Sequence, residues 1–164
     1  MSYIADVVTV AANLLLGAGG LQTNLDELAA AEGVPAFKIA AGQVITQNIP
    51  ADIAERSAGG AYPCVHVYCE KATNQLREKF RTFSGRIDMV FEIRVSSDRV
   101  EALDHQINSM IDAVVSTLDQ NRGDWGGGIF YAGAYDIAFT SVKHGGKNFI
   151  QTAKVMFSLE MSRA

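Results

Sequence analysis

Between Ile87 and Ser96 the chain alternates: Ile87, Met89, Phe91, Ile93 and Val95 are apolar, and Asp88, Val90, Glu92, Arg94 and Ser96 stand between them. A period of two sends the sets to opposite faces of a strand, the pattern of an antiparallel sheet covered on one side. From Asp98 to about Asp119 the period lengthens to that of a helix. Val100, Leu103, Ile107, Met110, Ile111, Val114, Val115 and Leu118 fall on one stripe. Asp98 with Glu101 three residues on predicts an acidic capping box at its start. "NRGDWGGG" at 121–128 ends the helix and predicts a flexible loop. Two closing strands follow, Tyr135–Lys143 and Asn148–Met161, joined through "HGGK" with Gly145 and Gly146 as a two-residue turn. Upstream, "YPCVHVYCE" is β-branched and aromatic enough for a strand, with Pro63 suited to its first position.

The first sixty residues are less regular. Ile4, Val7, Val8, Ala11, Leu14 and Leu15 recur at helical spacing until "GAGG" at 17–20. A second helix is expected within "NLDELAAAEG", with Asn24 as N-cap and Gly33 at its end. Phe37 to Ile49 reads as extended, and "NIPADIAERSAGGAYP" as an exposed, turn-rich stretch where an arm would lie. The expected architecture is one α+β domain over 1–164. Residues 1–61 supply N-terminal helices and a possible extended arm, and 62–164 a β-β-α-β-β core. That core is a two-layer sandwich, a mostly antiparallel four-stranded sheet with one long amphipathic helix on its apolar face. The sheet's other face is expected to be polar without strong charge.

Composition adds constraints. With 48% hydrophobic and 20% charged residues the chain is globular. A mean hydropathy of +0.09 is high for a free monomer and favours an oligomer. Ile4–Leu16 has no basic flank, is interrupted by Asp6 and is short for a membrane span, so a buried or subunit-contacting helix in a cytosolic protein is expected. Cys64 and Cys69, five apart on a strand, point to opposite faces and read as small buried hydrophobes.

Candidate chemistry is sparse. His66, with Cys64 two residues before it, is half of a metal site without a second pair, and a core or interface histidine is the better reading. His105 and His144 have no nucleophile beside them. "GAGGLQ" follows a helix and lacks the third glycine of a dinucleotide loop, and "RGD" at 122–124 carries no weight. No catalytic residue, cofactor or metal is assigned. The most distinctive feature is charge: Lys71, Arg77, Lys79, Arg81 and Arg86 stand against Glu78 alone, while the rest of the chain carries nine cations and seventeen carboxylates. This segment is a solvated loop, a subunit or partner contact built on Phe80, Arg81, Phe83 and Arg86, or a weak non-specific nucleic-acid contact. Trp125 either caps the domain's own core or anchors a partner.

The basic segment with "FSGRIDMVFEIRVSS", the helix "DRVEALDHQINSMIDAVVSTL" and the hairpin "AYDIAFTSVKHGGKNFIQTAKVMFSLEM" together resemble the tail terminator proteins of long-tailed bacteriophages, over roughly residues 62–164. The likeness lies in element order and lengths, with no diagnostic motif. It implies a structural, non-enzymatic virion protein, assembled in the host cytoplasm as a hexameric ring. Such a ring caps the tail tube, stops its polymerisation and joins the tail to the head connector. The implied partners are other copies of the chain, the tail tube protein and the head-tail connector protein, with non-specific contact to passing DNA and no membrane. A head-completion or connector protein of the neck is the near alternative. A small cytosolic ligand-binding module or enzyme, using Asp88, Glu92 and Arg94 with His66, is the alternative of another class.

Overall fold

The computed structural model describes residues 2–50, 62–145 and 147–164. In chain order the elements are α1 (Tyr3–Leu16), α2 (Leu21–Glu32), a 3-10 turn (Ala41–Gln43), β1 (Val44–Ile45), β2 (Cys64–Asn74), β3 (Phe83–Ser97), α3 (Val100–Gln120), β4 (Gly123–Gly126), β5 (Ile129–Phe139), β6 (Lys143–Gly145) and β7 (Asn148–Arg163). The expected arm at "NIPADIAERSAGGAYP" falls largely on 51–61, outside the described residues.

The alternation at Ile87–Ser96 becomes the centre of the sheet. β3 pairs antiparallel with β2 on one side and with β7 on the other, from Phe83↔Arg163 to Ser97↔Phe149. The α+β class holds, and α3 packs on the face carrying Phe91, Ile93, Val155 and Phe157. A flat four-stranded sandwich does not hold. The sheet has seven strands in the order β1-β2-β3-β7-β5-β4, with β6 also on β7, curled into a half-barrel. β3 and β7 run 15 and 16 residues, so the ordinary right-handed twist accumulates along them. Irregular pairing at Cys69/Lys71 and Tyr131/Tyr135 bends the sheet further.

Several boundaries move for identifiable reasons. α2 starts at Leu21, so Asn24 lies inside the helix, buried. Its Nδ2 donates to Gly20 O (2.9 Å) and to Thr117 Oγ1 (3.0 Å), and its Oδ1 accepts from Gln120 Nε2 (3.0 Å), fastening α2 to α3. Gly33 does end α2 in the left-handed conformation expected of it. At α3 the N-cap is Arg99, and no side chain caps the helix; starting at Val100, it leaves Asp98 one residue too far out to reach the free N–H groups. The stripe on α3 is otherwise as read, except that Val100 is exposed. The expected extended run from Phe37 reduces to the 3-10 turn and two residues of β1, which pairs parallel with β2. β5 begins at Ile129, six residues earlier than the alternation suggests, and β6 pairs Gly145 with Asn148, which puts Gly145 in the ladder and not in the turn.

The window Tyr3–Glu32 is long and apolar enough to cross a membrane by length and composition. In the fold it is two helices broken at 17–20, which bury Val7, Ala11, Leu15, Leu21 and Leu25 in the core. Arg163 ties α1 to the end of β7: its Nη1 donates to Asp6 Oδ2 (2.6 Å), its Nε donates to Gly127 O (2.9 Å), and its guanidinium lies 6.0 Å from the Tyr3 ring centroid.

Candidate assembly surfaces

The basic segment is not one loop. Lys71 lies on β2, Arg86 on β3, and Arg77, Lys79, Phe80 and Arg81 on the connection between them. That connection is tied by its own hydrogen bonds. Asn74 Oδ1 accepts from the N–H of Leu76 and of Ser84, Asn74 Nδ2 donates to Thr82 O (3.0 Å), and the N–H of Glu78 donates to Ser84 Oγ (3.2 Å). Gly85 permits the close approach: a Cβ there would stand 2.0 Å from Thr73 O.

Three of the five cations have carboxylate partners. Arg77 pairs with Glu160 of β7 (3.2 Å), Arg81 with Glu78 (3.2 Å) and Arg86 with Asp88 (2.6 Å); Lys71 and Lys79 form no ion pair with a described residue. Asp88 also accepts from Ser158 Oγ (2.6 Å). Its partial burial would raise its pKa, but the bonds from Ser158 and Arg86 outweigh that and hold the carboxyl below its usual range. The open groove on the face opposite α3 beside these residues carries Arg77 and Arg86 against Glu70, Asp88, Asp136 and Glu160. The +4 read along the sequence is thus largely neutralised in space.

The two phenylalanines separate. Phe83 is 9% exposed, stacks 6.0 Å from the Tyr3 ring and belongs to the core. Its place in the basic segment is therefore explained by folding, and it drops out of the contact set. Phe80 is 99% exposed with φ at 64°, a left-handed conformation disfavoured for a residue with a Cβ. Leu76, also exposed, has φ at 48°. Large apolar side chains held out in strained backbone mark a contact surface better than the cations do.

Trp125 lies in a strand, β4, and not in a flexible loop. Its ring packs on Tyr131 and Phe157 (centroids 5.6 and 6.0 Å), and its Nε1 donates to Asn121 O (2.6 Å). It caps the domain's own core, and burial in this aromatic group pushes the Tyr131 hydroxyl up to about 12.

The residues nominated for a ligand site divide. Glu92, Arg94 and His66 converge, buried, on the face opposite α3, and Asp88 does not join them. Arg94 Nε donates to Glu92 Oε2 (2.7 Å), Arg94 Nη1 donates to His66 Nε2 (3.1 Å), and Arg94 Nη2 donates to Ile49 O. Since a guanidinium can only donate, His66 carries its proton on Nδ1, which donates to Gln47 O (2.9 Å). Tyr68 Oη donates to Glu92 Oε1 (3.0 Å), and Lys154 approaches the same oxygen (3.7 Å). Burial and then Arg94 lower the His66 pKa, with the bond to Gln47 opposing; burial and then Glu92 raise that of Tyr68. Cys64 beside them is free and buried, its thiol pushed up to about 11 by burial, and Cys69 is free and half-buried. Each polar side chain in the cluster already has partners, so its chemistry is that of a structural lock. This corrects the expectation of a weakly charged second face.

One surface has no counterpart in the sequence reading. Ile137 and Phe139, which share a face of β5, and Val142 just after it are exposed, Phe139 to 56%, while Phe130 is exposed on the opposite face, beside Glu160. β5 was legible as a strand, but that its apolar residues lie beyond the cover of α3 depends on the sheet order. No protein family matches the chain, and no curated protein matches it.

Proposed function

We propose that the chain is a ring-forming structural subunit of a phage tail, a tail terminator that caps the tube and meets the head connector. The observation that carries the reading is apolar surface offered outward in two places on a rigid α+β body: Phe80 and Leu76 on the β2–β3 connection, and Ile137 and Phe139 on β5. A subunit that works by geometry requires such surfaces. The element order from β2 to β7 supports the same reading, as does the self-satisfied state of the buried cluster around Arg94. In this assignment β5 serves contact between subunits, and the β2–β3 connection, with Phe80 in place of the cations as anchor, meets the tube or connector.

The test is electron microscopy of tail tube protein polymerised with and without the chain. Tubes are expected to be shorter and blunt-ended, with a ring at one end, and Phe80→Ser is expected to weaken capping at unchanged folding. Tube lengths and ends that ignore the chain would reject the terminator assignment.

A further inference from the structure

The sheet ends in two edges that are only partly occupied. β1 covers β2 at Val65 and His66, leaving Cys69–Asn74 without a strand on that side among the described residues. β4 covers β5 at Ile129, Phe130 and Tyr131, leaving Gly133–Phe139 likewise without a strand on that side among the described residues. We propose that these edges join each other in different copies, Gly133–Asp136 of one subunit adding to Lys71–Asn74 of the next. The inference rests on the ring-subunit reading and names the contact by which copies would close.

Strand direction fits first. β2, β3, β7 and β5 alternate, each pair antiparallel. If copies turn about an axis running along the strands, β5 of one meets β2 of the next antiparallel, and the alternation continues unbroken. The two edges are different surfaces, so the contact is head-to-tail and generates a ring when the rotation closes.

Register and charge then fit together. An antiparallel pairing that sets Asp136 opposite Lys71 also sets Tyr135 opposite Ala72 and Gly133 opposite Asn74. Lys71 stands opposite Asp88 in the strand register and Asp136 opposite Met156, so both lie on the face opposite α3; Ala72 stands opposite Ile87 and Tyr135 opposite Phe157, on the helix face. A slip of one residue would set Lys71 against Tyr135 and mix the faces. Both Lys71 and Asp136 are exposed and form no ion pair with a described residue of their own chain, and Asp136 is the only charged residue in Gly133–Phe139. That edge has none of the lysines or prolines that usually guard an open strand. Beyond the paired stretch, Ile137 and Phe139 lie on the helix face, the layer in which the neighbour's α1 packs on β2.

Light scattering and sedimentation over a concentration series test this, with circular dichroism melts as the control for folding. Lys71→Asp and Asp136→Lys each place like charges opposite one another and are expected to weaken each contact by about fivefold. The double reversal is expected to recover wild-type assembly, and Ile137→Lys with Phe139→Lys to leave a folded monomer. Assembly unchanged in the folded apolar double variant, or no recovery in the charge swap, overturns the contact while leaving a ring built through other surfaces. A wild-type chain that stays monomeric even on tubes overturns this contact and the ring reading together. Rings restored by the charge swap that fail to cap tubes support the contact and count against the terminator assignment alone.

Discussion

Arg94 sets the energetics of the sheet face opposite α3, because its charge is buried and has to be answered from several directions. Glu92 supplies the opposite charge, His66 an acceptor nitrogen, and the carbonyl of Ile49 the third acceptor. Breaking a buried pair from one side leaves the other charge stranded, so Glu92→Gln is expected to cost about 3 kcal/mol in urea unfolding. Tyr68→Phe, which removes one neutral donor, is expected to cost about 1 kcal/mol. His66 adds a pH dependence whose sign follows from its depressed pKa: a second proton would point at the Arg94 guanidinium. Its contribution is present above the ordinary value of 6.5 and is lost as pH falls from there towards the folded pKa. Among the described residues the titratable groups facing it are Arg94, Glu92, Tyr68, Cys64 and Lys154 on β2, β3 and β7, and of these with His66 only His66 ordinarily titrates between pH 5 and 7. Unfolding free energy should therefore drop between pH 7 and 5, and His66→Gln should flatten that drop; an unchanged slope would remove His66 from the account. The alternation of β3 showed which residues share a face, but not that the polar face is covered. The cover includes carbonyls more than forty residues away in sequence, which no local period encodes.

The connection between β2 and β3 shows where local reading works and where it stops. "EKFRTFS" offers two phenylalanines three residues apart, and nothing in spacing tells them apart. The pairing of Phe83 with Arg163 and its stacking on Tyr3 come from the two ends of the chain. Phe83→Ala is accordingly expected to destabilise the subunit by about 3 kcal/mol, the lower end for a core phenylalanine because the site is peripheral. Phe80→Gly removes no core contact and relieves a left-handed backbone, so its melting temperature should equal or exceed the wild-type value. A melt in which Phe80→Gly loses stability would show that the exposed ring supports the fold after all. The same division explains the other elements. The stripe on α3 is a local period and was legible over nearly its whole length. β1, β4 and β6 are two to four residues long and exist through partners elsewhere in the chain, so their sequences look like loops. Trp125 was visible as a notable residue, whereas its role awaited the position of Tyr131 and Phe157.

At the scale of the whole molecule, charge is where sequence and space diverge most. Read linearly, Lys71–Arg86 is a basic island in an acidic chain of net charge −4. Folding places Glu160, 83 residues on, against Arg77, and Asp88 against Arg86, and it lines the adjoining groove with four carboxylates to two arginines. Counterion release from a nucleic acid requires a cluster of cations free to meet phosphates, and within Lys71–Arg86 only Lys71 and Lys79 remain without a carboxylate partner among the described residues. The isolated protein is therefore expected to bind duplex or single-stranded DNA more weakly than about 100 μM at physiological ionic strength, the weak limit of non-specific binding. Fluorescence anisotropy with a labelled oligonucleotide measures this directly. Glu160→Gln, which frees Arg77, should strengthen the residual signal at low salt. Saturable, salt-sensitive binding by the wild-type chain at a few micromolar, lost on changing Lys71 and Lys79 together, would reverse the conclusion and restore the segment as a DNA contact. Copies arranged in a ring would repeat whichever sign the groove presents, and with carboxylates in excess a channel lined by it would repel passing DNA.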